Sequence, residues 1–411
     1  MNRKHLESYA RLVVETGINL QKNQKLVVTA PIEGANFVRL LTEYAFDAGA
    51  RDVIIDWNDE ISKKIKYLKA PEDIFDEYPD WKKQFYQAHA DEGAAFISIA
   101  AEDPELMKDV KPDRIMRAQK ASNTANKMFR ERLMGNWNRW CVVSIPTPGW
   151  ARKVFPDQTE DQAMESLWNA IFQAVRIYEP DPVDAWKKHK KQLEQAMDWL
   201  NRQRFHQLHF KNRLGTDLLI TLPEGHIWTG GAERSQQGID FIANMPTEEV
   251  FTMPHREGVE GTVFSSMPLQ YRGNIIENFS LTFEKGKIVS YTAEKGLETL
   301  RGLIETDEGS RHLGEVALVP YDSPISNTGI LFYNTLFDEN ASCHLAIGKA
   351  YPVCIEKGSE MNEEMLLEKG VNDSLVHEDF MVGTSDLEIT GITESGERRM
   401  VFEKGNYATR F

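Results

Sequence analysis

Four short apolar runs in the first 150 residues alternate with segments that have the apolar spacing of helices. The first run is followed by residues 35–49, whose apolar positions recur at helical spacing and end near a glycine suited to a helix C-cap. Runs that are apolar on both faces and separated by helices are typical of a parallel sheet covered on both sides. The sequence therefore predicts an N-terminal doubly wound α/β domain. Its predicted strands are residues 25–30, 51–57, 94–100 and 140–146, with a further helical stretch near 112–135.

Many doubly wound domains bind nucleotides, but this sequence lacks the motifs for such binding. No G-x-G-x-x-G motif follows the first predicted strand, and the chain contains no G-x-x-x-x-G-K-[ST] motif. Because a fold does not by itself define a function, we predict no dinucleotide site in this domain.

The predicted secondary structure changes after about residue 205, from helices to short strands. Residues 160–203 are predicted to be helical, with a break at Pro180 and Pro182, and to join two domains. Beyond them, short strands and turn signals dominate, including a glycine-containing hairpin loop at residues 284–287. We therefore predict an α/β domain over residues 1–204 and a mixed, β-rich α+β domain over residues 205–411. The predicted strands of the second domain include residues 217–222, 262–264, 279–283, 287–291, 315–319 and 386–390.

The composition of the 411 residues restricts the partners and the compartment. Lys and Arg total 48 and Asp and Glu total 63, so the formal net charge is −15, which argues against a duplex nucleic acid as partner. Three cysteines (Cys141, Cys343 and Cys354) are too few for a disulfide framework and fit a reducing compartment. No apolar run approaches the roughly 20 residues that span a bilayer, and the N-terminal segment lacks the apolar core of a signal peptide. We expect a cytoplasmic protein with no membrane partner.

His377 and Asp379 lie two residues apart in a segment with strand character. In an extended strand their side chains share one face, together with those of Leu375 and Met381. Either a buried His–Asp hydrogen bond or a metal ion explains an imidazole and a carboxylate on an apolar face. Taken alone, the pair favours the hydrogen bond.

His344 lies among small and apolar residues, with Glu339 five residues before it and Tyr351 seven residues after it. If this segment is helical, His344, Gly348 and Tyr351 share a face. If it is a strand, the same arrangement needs a bulge, which Gly348 could provide. By itself, His344 is better explained as a core histidine than as a ligand. A thiol nucleophile at Cys343 is disfavoured, because adjacent side chains usually point apart.

Two glutamates begin apolar strands in the same half of the chain. Alternation places Glu315 on the face of Ala317 and Val319, where a carboxylate is costly unless it is paired or bound. Glu249 begins another apolar strand, and Glu248 falls on the opposite face of it. Singly, each glutamate is also consistent with a charge at a strand end that faces water.

Together these carboxylates and histidines predict a metal site in the second domain. The chain contains no H-E-x-x-H, G-x-S-x-G or C-x-x-C motif. Carboxylate oxygens combined with imidazole suit Zn²⁺, Co²⁺ or Mn²⁺. The set exceeds what one tetrahedral ion with an open position requires, whereas two ions about 3.5–4 Å apart that share a carboxylate would use all of it.

Four separated motifs resemble those of the aminopeptidase T/aminopeptidase S family, the thermophilic-type metallo-aminopeptidases also called M29 peptidases. The motifs are residues 246–252 (PTEEVFT), 312–315 (HLGE), 338–344 (DENASCH) and 377–379 (HED). The resemblance runs nearly end to end, in the same order and at about the same spacing, which is far more specific than any single motif.

The resemblance implies a two-domain homodimer that removes N-terminal residues from peptides with a free N-terminus. It also implies a centre of two divalent metal ions (Zn, Co or Mn) in the C-terminal domain. Glu339 falls on a further acidic metal position, and Tyr351 falls on a tyrosine near the metals. Matched motif by motif, the remaining implied metal ligands are Glu249, Glu315, His344, His377 and Asp379.

For such a centre we hypothesise the following mechanism. The metals would lower the pKa of water to give a hydroxide near neutral pH, with Glu315 as bridging ligand or general base. Tyr351 would donate to the oxyanion, and the α-amine of the substrate would bind a metal or an acidic side chain. His255 and Arg256 could meet a substrate carboxylate or peptide backbone, although a surface turn explains them better.

Two other functions are compatible with the same residues. A metallo-amidohydrolase that acts on non-peptide amides would use the metals without requiring a free α-amine. A non-catalytic ligand-binding protein would keep the carboxylates as structural groups and would show no turnover with any added metal.

Overall fold

The computed structural model describes residues 2–271 and 274–411 of the chain. The chain divides into two compact units, one comprising Met1–Lys187 and Ala232–Pro246, the other Lys188–Gly231 and Thr247–Phe411. The division into domains at residues 204 and 205 stays a prediction. Among the residues that the structure describes, no helix combines the length and the apolar character needed to cross a membrane.

The regular elements are numbered in chain order. The α-helices are α1 (Arg3–Leu12), α2 (Ala35–Asp47), α3 (Glu60–Lys69), α4 (Asp80–Asp91), α5 (Pro112–Ala125), α6 (Lys127–Met134), α7 (Pro148–Val154), α8 (Glu160–Ala174), α9 (Pro182–Gln203), α10 (Leu297–Ile304), α11 (Thr335–Asp338) and α12 (Glu363–Glu368). The strands are β1 (Lys25–Pro31), β2 (Asp52–Asn58), β3 (Ala95–Ile99), β4 (Trp140–Val143), β5 (Gln207–Lys211), β6 (Asp217–Thr221), β7 (Thr229–Gly230), β8 (Glu233–Arg234), β9 (Asp240–Phe241), β10 (Val250–Thr252), β11 (Val259–Phe264), β12 (Leu269–Tyr271), β13 (Asn274–Ile276), β14 (Ser280–Glu284), β15 (Lys287–Thr292), β16 (Leu313–Leu318), β17 (His344–Gly348), β18 (His377–Met381), β19 (Glu388–Ile392), β20 (Arg398–Glu403) and β21 (Asn406–Tyr407).

The first unit contains the predicted parallel sheet, with strand order β2-β1-β3-β4. The connections from β1 to β2 and from β2 to β3 run in opposite directions along the sheet. Because parallel crossovers are right-handed, these connections place α2 and α4 on opposite faces. On the α4 face, Val27 and Phe96 pack with Ala90 of α4 and Phe129 of α6. The prediction of a parallel sheet is therefore confirmed.

The helices of this unit follow the sequence pattern with small differences at their ends. The helix predicted over residues 35–49 ends at Asp47, and Gly49 follows with a φ of 93°, which glycine adopts without strain. The stretch near 112–135 contains two helices, because the chain leaves helical geometry at Asn126. Residues 160–203 form α8 and α9, which are interrupted around Pro180 as predicted.

In its described residues, the second unit contains two large antiparallel sheets and the two-stranded antiparallel pair β12-β13, as its short strands and turns predict. One sheet has the strand order β15-β14-β11-β6-β5-β19-β20-β21, and the other has the order β18-β17-β16-β10-β7. The apolar core of the unit includes Phe210 and Ile220 from the first sheet and Leu318 and Leu345 from the second. The hairpin loop predicted at residues 284–287 joins β14 to β15.

Candidate metal centre

The side chains predicted as metal ligands converge on one face of the five-stranded sheet. Glu315 of β16 and Asp379 of β18 pair with Ala346 of β17 from its two sides. His344 lies two residues before Ala346, and His377 lies two residues before Asp379. Paired residues of antiparallel strands share a face, as do residues two apart on one strand. The two carboxylates and the two imidazoles therefore project from the same face, which we call the donor face.

Glu249 joins the donor face from the neighbouring strand. Phe251 of β10 pairs with Ala317 of β16, which lies two residues from Glu315 and so shares its face. Glu249 precedes Phe251 by two residues. Its Oε2 lies 3.0 Å from Nε2 of His344, which brings a third carboxylate to the same side of the sheet.

The opposite face of the same strands is apolar and fully buried. Val316, Leu345 and Phe380 alternate with the donors along β16, β17 and β18 and belong to the core of the second unit. Burial of these side chains is the main force that holds the strands in register. A one-residue slip would move the donors into the core, so the packing of the apolar face fixes the geometry of the donor face.

A β-bulge separates Glu315 from Leu313, the core residue two positions before it. Leu313 pairs with Ile347, whereas Glu315 pairs with the adjacent Ala346, so two steps along β16 oppose a single step along β17 and one residue is extra. The shift lets Leu313 enter the core while Glu315, two residues later, points to the donor face. Gly314 occupies the bulge, where a Cβ atom would clash with the carbonyl oxygen of Lys349. His344 thus begins a strand rather than a helix.

The donor atoms form two groups that share Glu315. In the first, ligand atoms of Glu249, Glu315 and His344 lie within 4.8 Å of one another, and in the second those of Glu315, His377 and Asp379 do so. Oε1 of Glu315 is 3.6 Å from Nε2 of His344, and Oε2 is 3.5 Å from Nε2 of His377. Nε2 of His377 is also 3.5 Å from Oδ1 of Asp379. Each oxygen of Glu315 therefore faces a different group.

Backbone carbonyls orient both imidazoles. Nδ1 of His344 lies 3.1 Å from the carbonyl oxygen of Ser342, and Nδ1 of His377 lies 2.7 Å from that of Lys349. A carbonyl oxygen only accepts hydrogen bonds, so Nδ1 carries the proton in each ring. Nε2 of each ring therefore faces the carboxylates, and it becomes available as a metal ligand when the ring gives up its second proton.

Burial of several carboxylates together raises the pKa of two of them. Glu315 is only 5% exposed, and its burial, with the nearby charge of Asp379, raises its pKa to about 7 against the pull of His344. Burial also raises the pKa of Glu339 well above its ordinary value, and the charges of Asp379 and Glu249 add to the effect. Without a bound cation, the donor face therefore holds several buried carboxylates that repel one another.

The imidazoles respond to the same charges in the opposite sense. Burial acts to lower the pKa of His377, but Asp379 and Glu315 outweigh it and raise the pKa to about 10. For His344, Glu249 and Glu315 likewise overcome burial and raise the pKa well above its ordinary value. The pKa of Asp379 is lowered, because His377 outweighs the burial of the carboxylate. Protons on the imidazoles thus take the place of cations in balancing the acids.

The donor set fits divalent metal ions. Oδ1 of Asp379 is buried and accepts no hydrogen bond from the described residues, although a buried carboxylate oxygen normally has a partner. That oxygen belongs to the second donor group and points among other ligand atoms. Carboxylates combined with Nε2 of oriented imidazoles are the donors that Zn²⁺, Co²⁺ and Mn²⁺ accept.

The structure brings Glu339 and Tyr351 to the same centre but not into the two donor groups of the described residues. Glu339 begins the 3-10 helix Glu339–Ala341 and is close enough to Asp379 for the charge of that carboxylate to raise the pKa of Glu339. The ring of Tyr351 lies 4.6 Å from that of His377, between centroids. Burial and then the charge of Glu315 raise the pKa of the Tyr351 phenol well above its ordinary value, so the hydroxyl remains a hydrogen-bond donor.

His255 and Arg256 lie in a turn that contacts other parts of the unit. The backbone N–H of Arg256 donates to the carbonyl oxygen of Gly370, and its own carbonyl oxygen is 3.0 Å from Nδ1 of His312. Nδ1 of His255 accepts from the backbone N–H of Glu257. These contacts are those of a turn, which is the better of the two explanations that the sequence offered.

Asn340 is a buried polar residue of the centre that the sequence patterns did not single out. Its Oδ1 accepts from the backbone N–H of Glu248 at 2.7 Å. Its Nδ2 donates to the carbonyl oxygen of Leu336 at 3.0 Å and to Oε1 of Glu339 at 3.3 Å. Asn340 thus ties the residue before Glu249 to Glu339. In the sequence, the only indication was that Asn340 lies next to an acidic residue of the same motif. Glu248, whose N–H it binds, lies 92 residues away in the sequence.

A mixed α/β fold that carries buried carboxylates and oriented imidazoles, in two groups with a common glutamate, is an arrangement suited to a metallohydrolase. The sequence matches the family described as thermophilic metalloprotease (M29) over residues 2–407. The chain belongs to this family, and the resemblance seen in its four motifs is confirmed.

Relatives and one solved structure align along nearly the whole chain. Aminopeptidase AmpS of Bacillus subtilis (strain 168) is 49% identical over 403 residues, covering 98% of each chain. Aminopeptidase 2 of Geobacillus stearothermophilus is 48% identical over 410 residues, covering 99% of each. The structure of wild-type AmpT from Thermus thermophilus superposes with a TM-score of 0.94 at 42% identity, covering 99% of this chain and 100% of that one. The protein is therefore a hydrolase with a known mixed α/β fold.

Proposed function

We propose that the protein is a metal-dependent aminopeptidase whose active centre is the donor face. The observation that carries the proposal is the position of Glu315, which belongs to both donor groups. The relatives that are named aminopeptidases support the proposal over the full length of the chain. We infer that two divalent ions bind, one in each group, and that zinc, cobalt and manganese all suit the donors.

The residues of the donor face have distinct tasks in this proposal. Divalent ions, when bound, supply Lewis acidity and a hydroxide nucleophile near neutral pH. Glu315 bridges the two groups, because each of its oxygens faces a different imidazole. Proton transfer to the leaving amine then requires another carboxylate. Glu339 is suited to it, because it lies outside both groups and has a raised pKa.

In this proposal Tyr351 stabilises the reacting carbonyl. Its hydroxyl stays protonated beside the acids and is available to donate to the oxyanion that develops as the peptide bond is attacked. Its ring rests against His377, which restricts the direction of the hydroxyl.

The proposal includes a requirement for a free N-terminus, which the relatives named aminopeptidases support. Four carboxylates, those of Glu249, Glu315, Glu339 and Asp379, face two imidazoles within one buried centre. Two divalent ions would balance the charge of these acids, so selection of a free N-terminus requires a direct contact of the α-amine with a metal or an acidic side chain, which an acylated N-terminus does not offer. The expected substrates are therefore peptides that are cleaved at their first bond.

A chelation experiment tests the proposed function. The protein is stripped with a chelator, and hydrolysis of leucine amide and of N-acetyl-leucine amide is measured before and after Zn²⁺, Co²⁺ or Mn²⁺ is restored. We expect metal-dependent recovery on the free-amine substrate alone. Equal rates on both substrates would favour the metallo-amidohydrolase. A folded protein that binds metal but shows no turnover on any amide would favour the ligand-binding protein.

We also propose a cytoplasmic homodimer. Three cysteines that are free and buried support a reducing compartment, and the family resemblance supports the dimer. Light scattering on the metal-loaded protein at several concentrations would measure the assembly directly.

A further inference from the structure

A polar cavity of about 650 Å³ lies in the first unit, at the amino-terminal ends of its parallel strands. Lys25 begins β1, Arg51 immediately precedes β2 and Arg139 immediately precedes β4. All three line the cavity together with Lys22. None of the donor-face residues lines it, so the metal centre does not account for it.

Arg139 is the buried cation of this cavity. It is only 3% exposed. Its Nε donates to the carbonyl oxygen of Ile18 at 3.2 Å, and its Nη2 donates to the side-chain oxygen of Gln24. Within the described part of the chain, no carboxylate lies close enough to pair with it, and burial lowers the pKa of the guanidinium. A buried charge without an opposite charge is costly, and two neutral acceptors use only part of its five N–H donors.

Three further cations face the same space, and only one acid opposes them. Nζ of Lys25 lies 2.5 Å from Oε2 of Glu92, which is the single carboxylate lining the cavity. Lys22 and Arg51 are exposed and make no ion pair with the described residues. This concentration of positive charge occurs in a chain whose net charge is −15. The cavity is therefore a local exception to the charge of the molecule, and its field attracts anions.

We propose that this cavity binds a small oxyanion with two negative charges, of which inorganic phosphate is the simplest, with Arg139 as its buried anchor. The planar fork of a guanidinium matches the oxygens of a phosphate group. Lys22 and Arg51 complete the charge from the rim. The number of unpaired cations favours a dianion over a monocarboxylate, which would leave most of the positive charge uncompensated.

Calorimetric titration with inorganic phosphate tests this proposal on the metal-loaded protein at about pH 8 and constant ionic strength. The wild type is compared with the double variant K22Q/R51Q and with K108Q/K120Q, which removes the same charge from exposed positions of the same unit. We expect K22Q/R51Q to bind phosphate at least about tenfold more weakly, since a charged hydrogen bond contributes about that factor or more. K108Q/K120Q should bind within about twofold of the wild type.

Three results would overturn the proposal. Equal phosphate affinity in the wild type and K22Q/R51Q would locate the binding elsewhere, including at the metals. Acetate that binds as tightly as phosphate would refute the requirement for a dianion. No phosphate binding in any of the proteins would leave Arg139 with a structural task alone. R139Q should abolish binding, and if that variant fails to fold, the exposed pair still decides the outcome.

Discussion

In the proposed mechanism, Tyr351 donates a hydrogen bond to the oxyanion and does not bind a metal. Its phenol is held protonated beside the acids, and it belongs to neither donor group of the described residues. Tyr351→Phe should therefore lower kcat by about 10²–10³ with little change in metal content, as expected for the loss of an oxyanion donor. Steady-state kinetics and metal analysis on the same preparation measure both quantities. Loss of metal in this variant would instead identify Tyr351 as a ligand.

Asn340 is expected to position Glu339 and the residue before Glu249 through its hydrogen bonds. Asn340→Asp keeps the acceptor for the N–H of Glu248 but removes the donors to Leu336 and Glu339, and it adds a carboxylate beside Glu339. We expect the free energy of unfolding to fall by about 1–3 kcal/mol. Chemical denaturation of the metal-free protein and a metal titration of the folded protein check the two effects. Unchanged metal affinity in a destabilised protein would show that Asn340 is structural only.

The sequence predicted individual donors better than it predicted their supports. Alternation alone placed Glu315 on one face with Ala317 and Val319, because the period of a strand is two residues, and the cost of a carboxylate there indicated a partner or a bound ion. His344 was ambiguous between a core histidine and a ligand, since its neighbours in sequence are all apolar or small. The hydrogen bonds that orient His344 and Asn340 involve backbone groups whose positions depend on the fold, so no local pattern reports them.

Strand β17 lies between β16 and β18, at the centre of the donor face. Ala346 lies between Glu315 and Asp379, and its small side chain is fully buried there. The strand assignment of this segment could not be made from periodicity, because a short apolar run fits a buried strand and a buried helix equally well. The bulge at Gly314 was also unpredicted, although it decides that Leu313 and Glu315 face opposite sides.

Ala346→Leu should bring a larger apolar side chain between Glu315 and Asp379. We expect it to prevent metal binding and to destabilise the protein by about 1–3 kcal/mol through overpacking. Ala346→Gly is the matched control, because it adds no atoms between the two carboxylates and should retain metal. Metal stoichiometry after dialysis distinguishes the two variants. Full metal occupancy in Ala346→Leu would mean that the ions do not bind over β17.

The whole molecule should take up metal more tightly as the pH rises. In the metal-free protein the pKa of Glu315 is raised to about 7 and that of His377 to about 10. Both groups hold protons at about pH 6, and each proton must leave before the group coordinates a metal. Apparent affinity should rise by about tenfold per pH unit for each proton displaced between about pH 6 and 8. Competition with a chelator of known affinity measures it, and a flat profile would contradict these protonation states.

The two parts of the chain differed in how far their fold followed from the sequence. In the first unit, β1 to β4 lie where the apolar runs predicted them, because strands buried on both faces have continuous apolar sequences. In the second unit the sequence predicted many of the strands but, apart from the hairpin at residues 284–287, not their partners. β16 pairs with β10 and β17, which lie far apart in the sequence, and only the fold reveals that these three strands and β18 share a face.

Glu315 is proposed to join two metal sites, and the number of metal ions bound per chain tests this role most directly. The wild type, Glu315→Gln and the exposed control Glu388→Gln are stripped, titrated with Zn²⁺ by calorimetry and assayed on leucine amide. We expect two ions per chain for the wild type and the control. We expect weakened binding at both sites and a loss of activity of at least about 10³-fold for Glu315→Gln, with its fold intact. Two tightly bound ions and near-normal turnover in Glu315→Gln would contradict the proposed bridging role of Glu315.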